Sequence, residues 1–295
     1  MTIDVLCVGH ACYDLVFSVP KHPQADEKTF ASGLLGCGGG PAANAAIAVA
    51  KLGCTSAFAG YLGNDLFGTT HYQEFVTANV NTDYLVRGDN PTPLSTVIVK
   101  PDGQRALINY KGQTLALTPE AIDFSGISPK VVLFDGHEPQ LSLAVLAHIQ
   151  GKGIATVLDA GSVHDGTRQL MDKVDFLVCS EKFAVQWAGD VQTALSALAL
   201  IAPAVVITLG ESGLIWQRGD ERGSLPALAV KAIDTTGAGD AFHGAFAAAL
   251  ALGMDWLSIL RYASVAGSLC CTQLGARPGL PSQAEHAAYF ANLKQ

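Results

Sequence analysis

Short apolar runs that end in Gly, Asp or Cys recur along the chain at residues 5–9, 54–60, 131–135, 154–159, 174–179 and 204–210. Runs with no polar alternation mark strands buried on both faces, as in a parallel sheet covered by helices. Between them lie stretches of helix-forming composition at 41–52, 68–78, 139–150, 190–202 and 241–252, three of them followed by a stop glycine, Gly53, Gly151 or Gly253. The alternation of strand and helix predicts an α/β sandwich with a mainly parallel central sheet.

A different texture interrupts this pattern. Residues 94–100 and 104–110 alternate around Pro101-Asp102-Gly103 and predict a β-hairpin. Residues 13–19 and 28–34 add strands to it. The expectation is a small β-sheet lid made of 12–36 and 92–112 over a body made of 1–11, 37–91 and 113–295. No sequence repeat, low-complexity tract or flexible linker divides the chain further.

Composition narrows the choice of partners. The 295 residues, 49% apolar and 15% charged, suffice for one large core. A formal net charge of -8 with no run of Lys or Arg opposes the counterion release on which nucleic-acid binding depends. Seven scattered cysteines form no C-x-x-C pair and no zinc-like spacing with histidine, so they read as small buried hydrophobes in a reducing compartment. Residues 191–210 carry no charge, but Pro203 splits them into a helix and a β-branched strand, which argues against a membrane span. With Asp4 in place of a basic leader and 5–8 too short for a signal h-region, the expected location is cytoplasmic.

The chemistry concentrates in Asp234-Thr235-Thr236-Gly237-Ala238-Gly239-Asp240-Ala241-Phe242-His243-Gly244-Ala245, a turn that runs into an Ala-rich helix. Three residues without bulk let backbone N–H groups converge at a helix N-terminus, where the dipole adds positive potential and an anion can sit. A carboxylate at that lip repels phosphate unless it takes a proton from an attacking hydroxyl, which makes Asp240 a candidate base. The competing reading is a tightly packed helix start with Asp240 as a first-turn stabiliser. The full string favours catalysis. His243, one turn later, reads as a packing residue.

A second glycine-rich stretch, Gly36-Cys37-Gly38-Gly39-Gly40-Pro41-Ala42-Ala43-Asn44, also enters a helix. Its glycines allow backbone to approach a ligand closely, and Asn44 sits one turn in. It does not fit the dinucleotide G-x-G-x-x-G pattern, because Ala43 stands at the third glycine and no strand is expected directly before it. The turn after the first strand, Gly9-His10-Ala11-Cys12, also lacks that pattern, which disfavours a nicotinamide dehydrogenase.

Together the two stretches resemble the ribokinase-like (PfkB) carbohydrate kinase family across essentially the whole chain. Gly9 to Asp14, Thr208-Leu209-Gly210 with Gly213, and Gly275-Ala276-Arg277-Pro278-Gly279-Leu280-Pro281 extend the match. The resemblance implies a three-layer α/β/α sandwich and transfer of the ATP γ-phosphate to a sugar or nucleoside hydroxyl. It implies a cleft between the nucleotide-binding body and a β-lid that often serves as a homodimer clasp. Carried over by position, Asp240 is the base and Gly237, Ala238 and Gly239 the anion hole. Asp14, Gly39, Gly40 and Asn44 hold the sugar; Thr208, Gly210, Gly213, Thr236 and Gly239 lie along the nucleotide. Asn109, on the lid hairpin and pointing inward if the alternation holds, is a further candidate sugar contact, the alternative being an ordinary strand residue.

Two departures stand out. The family's Asn-x-x-Glu after the strand at 174–179 is Ser180-Glu181-Lys182-Phe183 here, leaving Glu181 and Asp159 as candidate outer-sphere carboxylates for Mg2+. Gly279 offers no side-chain oxygen to the family's monovalent-cation loop, so K+ activation stays open. Within the family the motifs look closest to sulfofructose kinases and, more distantly, ketohexokinases, both acting on ketohexoses. Gly136-His137-Glu138 stands where an arginine would greet an anionic sugar, which favours a neutral ketohexose or related sugar over a sulfosugar. A nucleoside substrate, and a non-catalytic sensor of sugar and nucleotide, are the alternatives.

Overall fold

The computed structural model describes residues 2–292. Its middle layer, among the described residues, is a nine-stranded sheet. From edge to edge its strands are β13 (Glu221–Leu225), β12 (Leu214–Arg218), β11 (Ala204–Thr208), β10 (Phe176–Ser180), β9 (Ala155–Ala160), β8 (Val131–Phe134), β1 (Val5–Val8), β4 (Ser56–Gly63) and β5 (Leu85–Gly88). Pairing is parallel from β5 to β11 and antiparallel in the β11–β12–β13 edge.

The apolar runs are buried on both faces because successive side chains enter different cores. Val5, Cys7, Val131 and Leu133 join the cluster under α1 (Pro41–Lys51), α2 (Leu66–Thr77), α7 (Ala238–Ala251), α8 (Trp256–Cys270) and α10 (Gln283–Asn292). Leu6, Val8, Val132 and Phe134 join the opposite cluster, covered by α3 (Pro139–Ile149), α4 (Asp165–Leu170), α5 (Glu181–Ala188) and α6 (Val191–Leu198). The result is a three-layer α/β/α sandwich. A short α9 (Ala276–Gly279) closes the loop after α8.

The two chemistry-bearing helices, α1 and α7, cross at close range because their contact is built from alanine and glycine. A Cβ on Gly244 would sit 2.7 Å from the Ala45 carbonyl oxygen, so any side chain there forces the helices apart. That approach brings the first turns of α1 and α7 side by side.

A second, smaller sheet is built from the segments that follow β1 and β5. Its order is β3 (Gly33–Gly39), β2 (Cys12–Ser18), β6 (Leu94–Val99) and β7 (Arg105–Tyr110), with β2–β6 parallel and the other pairs antiparallel. The β6–β7 hairpin turns at the expected Asp-Gly, where Gly103 N donates to the Lys100 carbonyl at 2.9 Å. The strand expected at 28–34 instead occupies Gly33–Gly39, so the glycine-rich stretch is itself a strand and leads directly into α1. Glycines are poor strand formers in isolation. Here they are selected by what lies across the register, where Cys37 pairs with Asp14 and Gly39 with Cys12.

Candidate active site at the carboxyl edge of the sheet

Asp135, just past β8, organises the entrance to α1. Its Oδ2 accepts from His10 N at 2.8 Å and Ala42 N at 3.1 Å, and its Oδ1 accepts from His137 N at 2.9 Å. The N-cap residue, Gly40, has no side chain to cap the helix, so a carboxylate from another strand satisfies an orphan amide. Nothing local in the sequence indicates this reach of 93 residues.

Asp14, on β2, is buried beneath the glycine strand and accepts from Cys12 Sγ at 3.3 Å. A Cβ on Gly39 would lie 2.3 Å from the Asp14 carboxylate, which explains the glycine at the one place where backbone crosses that group. Burial pushes the Asp14 carboxyl up to about 6; the Cys12 hydrogen bond opposes this, and the nearby Asp240 charge adds to it. Asn44 is also buried, and its Nδ2 donates to Asp240 Oδ2 at 2.7 Å. Asn44 Oδ1 accepts from Arg277 Nε at 2.7 Å. The structure thus brings Asp14, Gly39, Gly40, Asn44 and Asp240 together. It does not bring in Asn109, which lies exposed on β7 opposite Ser95.

Gly237 takes left-handed backbone, φ 79°, and is the N-cap of α7, so Ala238, Gly239 and Asp240 form the first turn. Ala238 N donates to the Thr235 carbonyl at 3.3 Å. Among the described residues the Gly239 and Asp240 amides have no hydrogen-bond acceptor. Gly239 borders a cavity of about 660 Å³ whose walls also include Thr208, Gly210, Gly213, Thr235 and Ala238. Thr236 does not line it. Its hydroxyl and amide both donate to Asp234 Oδ1, at 2.7 and 2.9 Å, and Asp234 Oδ2 accepts from Gly275 N at 2.8 Å. The wall threonine is therefore Thr235, and Thr236 holds the turn from behind. Alternation along the chain cannot tell the two apart.

His243 has acceptors at both ring nitrogens: Gly239 O at 2.6 Å and Asp159 Oδ2 at 3.2 Å beside Nδ1, and Val178 O at 3.1 Å beside Nε2. It joins the head of α7 to β9 and β10, a tie that the packing assignment from sequence did not foresee. Burial pushes the Asp159 carboxyl up to about 7, against the pull of His243 and with the Asp240 and Asp135 charges adding to it. Glu181 is exposed at the start of α5, and its carboxylate makes no hydrogen bond among the described residues. Ser180, at the position of the family's asparagine, caps that helix by accepting from Phe183 N at 3.1 Å. No group of three His, Cys, Asp or Glu side chains able to hold a metal ion occurs among the described residues. A magnesium ion carried on phosphate oxygens and water needs no such cluster.

Beside the Asp135 turn lies a cluster of imidazoles. His137 stacks on His164 with centroids 4.9 Å apart and lies 5.4 Å from His10. Burial, and the facing His137, lower the pKa of His10 to about 3, so its ring is neutral. Glu138 accepts from Leu117 N at 2.6 Å, and burial pushes its carboxyl up to about 7. Sequence reading passed over both His10 and His164, since a lone histidine on a loop carries no signal.

The profile of the pfkB family carbohydrate kinases matches residues 2–283. The chain belongs to this family. It is therefore a sugar kinase, a phosphotransferase with an alcohol acceptor. It is 30% identical to a ribokinase of Bacillus subtilis (strain 168) over 286 residues, covering 96% of this chain and 97% of that protein. It is 29% identical to the probable fructokinase-5 of Arabidopsis thaliana, covering 86% and 88%. The structure of Arabidopsis thaliana ribokinase complexed with ribose and ATP superposes with a TM-score of 0.84 at 26% identity, covering 98% and 99% of the two chains. No helix of this kinase, among the described residues, is long and apolar enough to cross a membrane.

Proposed function

We propose that the enzyme transfers the γ-phosphoryl group of ATP to a hydroxyl of a small neutral sugar, a ketohexose or close relative, with Asp240 as base. One observation carries this reading: a carboxylate held on one oxygen by Asn44 stands beside two acceptor-free amides at the head of α7. Asp240 takes the hydroxyl proton as the sugar oxygen bonds to γ-phosphorus, the bond to the β–γ bridging oxygen breaks, and ADP leaves. The Gly237-Ala238-Gly239 turn receives the charge on the moving phosphoryl group. Asp14, Gly39, Gly40 and Asn44 orient the sugar, and Asn109 reaches it when the lid closes. Thr208, Gly210, Gly213 and Thr235 border the nucleotide, with Thr236 bracing the turn.

Gly136-His137-Glu138, standing after β8 where an arginine would meet an anionic sugar, supports an uncharged sugar over a sulfosugar. A panel of sugars and nucleosides with ATP, read by coupled ADP release and phosphorus NMR of the product, tests both substrate and acceptor oxygen. Binding of sugar and nucleotide without turnover would replace the kinase reading with that of a sensor. Potassium added to the same assay decides monovalent-cation activation.

Magnesium bound to the triphosphate would supply charge neutralisation, with Glu181 and Asp159 reaching it through water. The magnesium concentration for half-maximal rate is expected to rise several-fold in Glu181→Gln and Asp159→Asn. An unchanged titration in both variants removes these carboxylates from the ion's surroundings.

The lid also supports a homodimer. Leu34, Leu107, Ile108 and Tyr110 are exposed on one small sheet, Ile108 by 65% and Leu34 by 63%, more apolar surface than an isolated lid tolerates well. A Leu107→Asp, Ile108→Glu double variant is expected to elute as a monomer in size-exclusion chromatography with light scattering, where the parent elutes as a dimer. A monomeric parent rejects the clasp.

A further inference from the structure

Arg277 is a charged side chain only 8% exposed, set in the core between α1, α2 and α9. All three of its nitrogens are used. Nε donates to Asn44 Oδ1 at 2.7 Å, Nη2 donates to His71 Nε2 at 2.6 Å, and Nη1 faces Glu74 Oε2 at 3.4 Å. The guanidinium lies 5.5 Å from the centre of the Phe75 ring, which stacks on His71 at 4.6 Å. Because His71 accepts from a cation it is neutral there, and burial together with the Arg277 charge lowers its pKa well below the usual range. The loop that carries Arg277 is pinned in turn, since Lys51 Nζ donates to the Leu280 carbonyl at 2.6 Å.

A guanidinium has donors only, and this decides the orientation of Asn44. The amide oxygen must face Arg277, so the amide nitrogen faces Asp240. The Asp240 carboxylate, an acceptor only, asks for the same orientation, so the two partners hold the amide from both ends. Glu74 closes the circuit on the substrate side, where both of its carboxylate oxygens accept from Gly38 N at 3.0 Å. One buried cation therefore ties the glycine strand over the sugar to the carboxylate at the head of α7.

We propose that Arg277 is a positioning residue for phosphoryl transfer: it locks the Asn44 amide so that Nδ2 holds Asp240 Oδ2, leaving Oδ1 as the oxygen that accepts the hydroxyl proton. Among the described residues Asp240 Oδ1 has no hydrogen-bond partner. The inference rests on Asp240 as base, and it adds a residue on a different element whose route to Asp240 runs through Asn44.

The test is a double-mutant cycle on kcat, with active sites counted by calorimetric nucleotide binding. Arg277→Met is expected to lower kcat by about ten- to a hundredfold, the size of effect that misplacing a reacting group produces, while the sugar KM changes far less. In an Asn44→Ala background the same substitution is expected to cost little further, because its route to Asp240 is already cut. Arg277→Lys retains the charge without the guanidinium fork and is expected to fall with Arg277→Met, which keeps the test alive where the methionine variant fails to fold. Losses that add in full, or a kcat per active site equal to that of the parent, overturn the proposal. Asp240→Asn is assayed alongside. Wild-type kcat in that variant rejects the base assignment, whereas a dead Asp240→Asn beside an unaffected Arg277→Met rejects only the role of Arg277.

Discussion

Asp240→Asn is expected to bind sugar and nucleotide as the parent does and to lower kcat by about 10²–10⁴-fold, the range for loss of a general base. The substitution keeps the volume of the side chain, and Asn44 Nδ2, now 2.7 Å from Asp240 Oδ2, can donate to the new amide oxygen in the same place. The first turn of α7 and its acceptor-free amides are unchanged, so anion binding persists while proton acceptance is lost. Calorimetry for both ligands and coupled ADP release for turnover separate the two. A kcat within a few-fold of the parent would mean that the carboxylate only stabilises the helix start.

Asp14→Asn is expected to raise stability and to cripple sugar use. The Asp14 carboxyl titrates at about 6 in the folded protein against 3.8 for the free group, because burial disfavours its charged form. Between those values the native state holds more protons than the unfolded chain, so stability falls as pH rises through this window. The penalty is absent below pH 3.8 and complete above about pH 6, on the order of 3 kcal/mol for a shift of this size. Asparagine removes it, so the Tm of the unliganded variant should exceed that of the parent at pH 7.5 and match it near pH 4. The lost carboxylate is expected to lower kcat/KM by roughly ten- to a hundredfold, the worth of one charged hydrogen bond to a sugar hydroxyl. A variant no more stable than the parent at pH 7.5 would show that Asp14 is better solvated than its burial implies.

Such a group makes sense only if the site is maintained for a ligand. A carboxylate under a glycine strand is a local cost to folding, and the backbone above it admits no side chain at Gly39. The same holds for Glu138, whose carboxyl burial pushes up to about 7. Sites of binding are where stability is traded for polar groups held ready.

The sequence by itself determined the layers. Short apolar runs without alternation, closed by Gly or Asp and spaced by helical stretches, mark strands covered on both faces, and the Asp-Gly turn between alternating segments marks a hairpin. The string from Asp234 to Ala245 declared a helix start suited to phosphate, because that chemistry is written in consecutive residues. What tertiary structure decided was everything that depends on register and crossing angle. The Asn44–Asp240 bond spans 196 residues and the Arg277–Asn44 bond 233, and no local pattern encodes either. The glycine stretch reads as a loop until the strand beside it supplies Asp14 to be covered, and Thr236, expected along the nucleotide, stays off the cavity wall because Asp234 claims it. Local period fixes which faces are apolar; only the packing of those faces decides which polar groups end up touching, and the catalysis proposed for this kinase is made of such contacts.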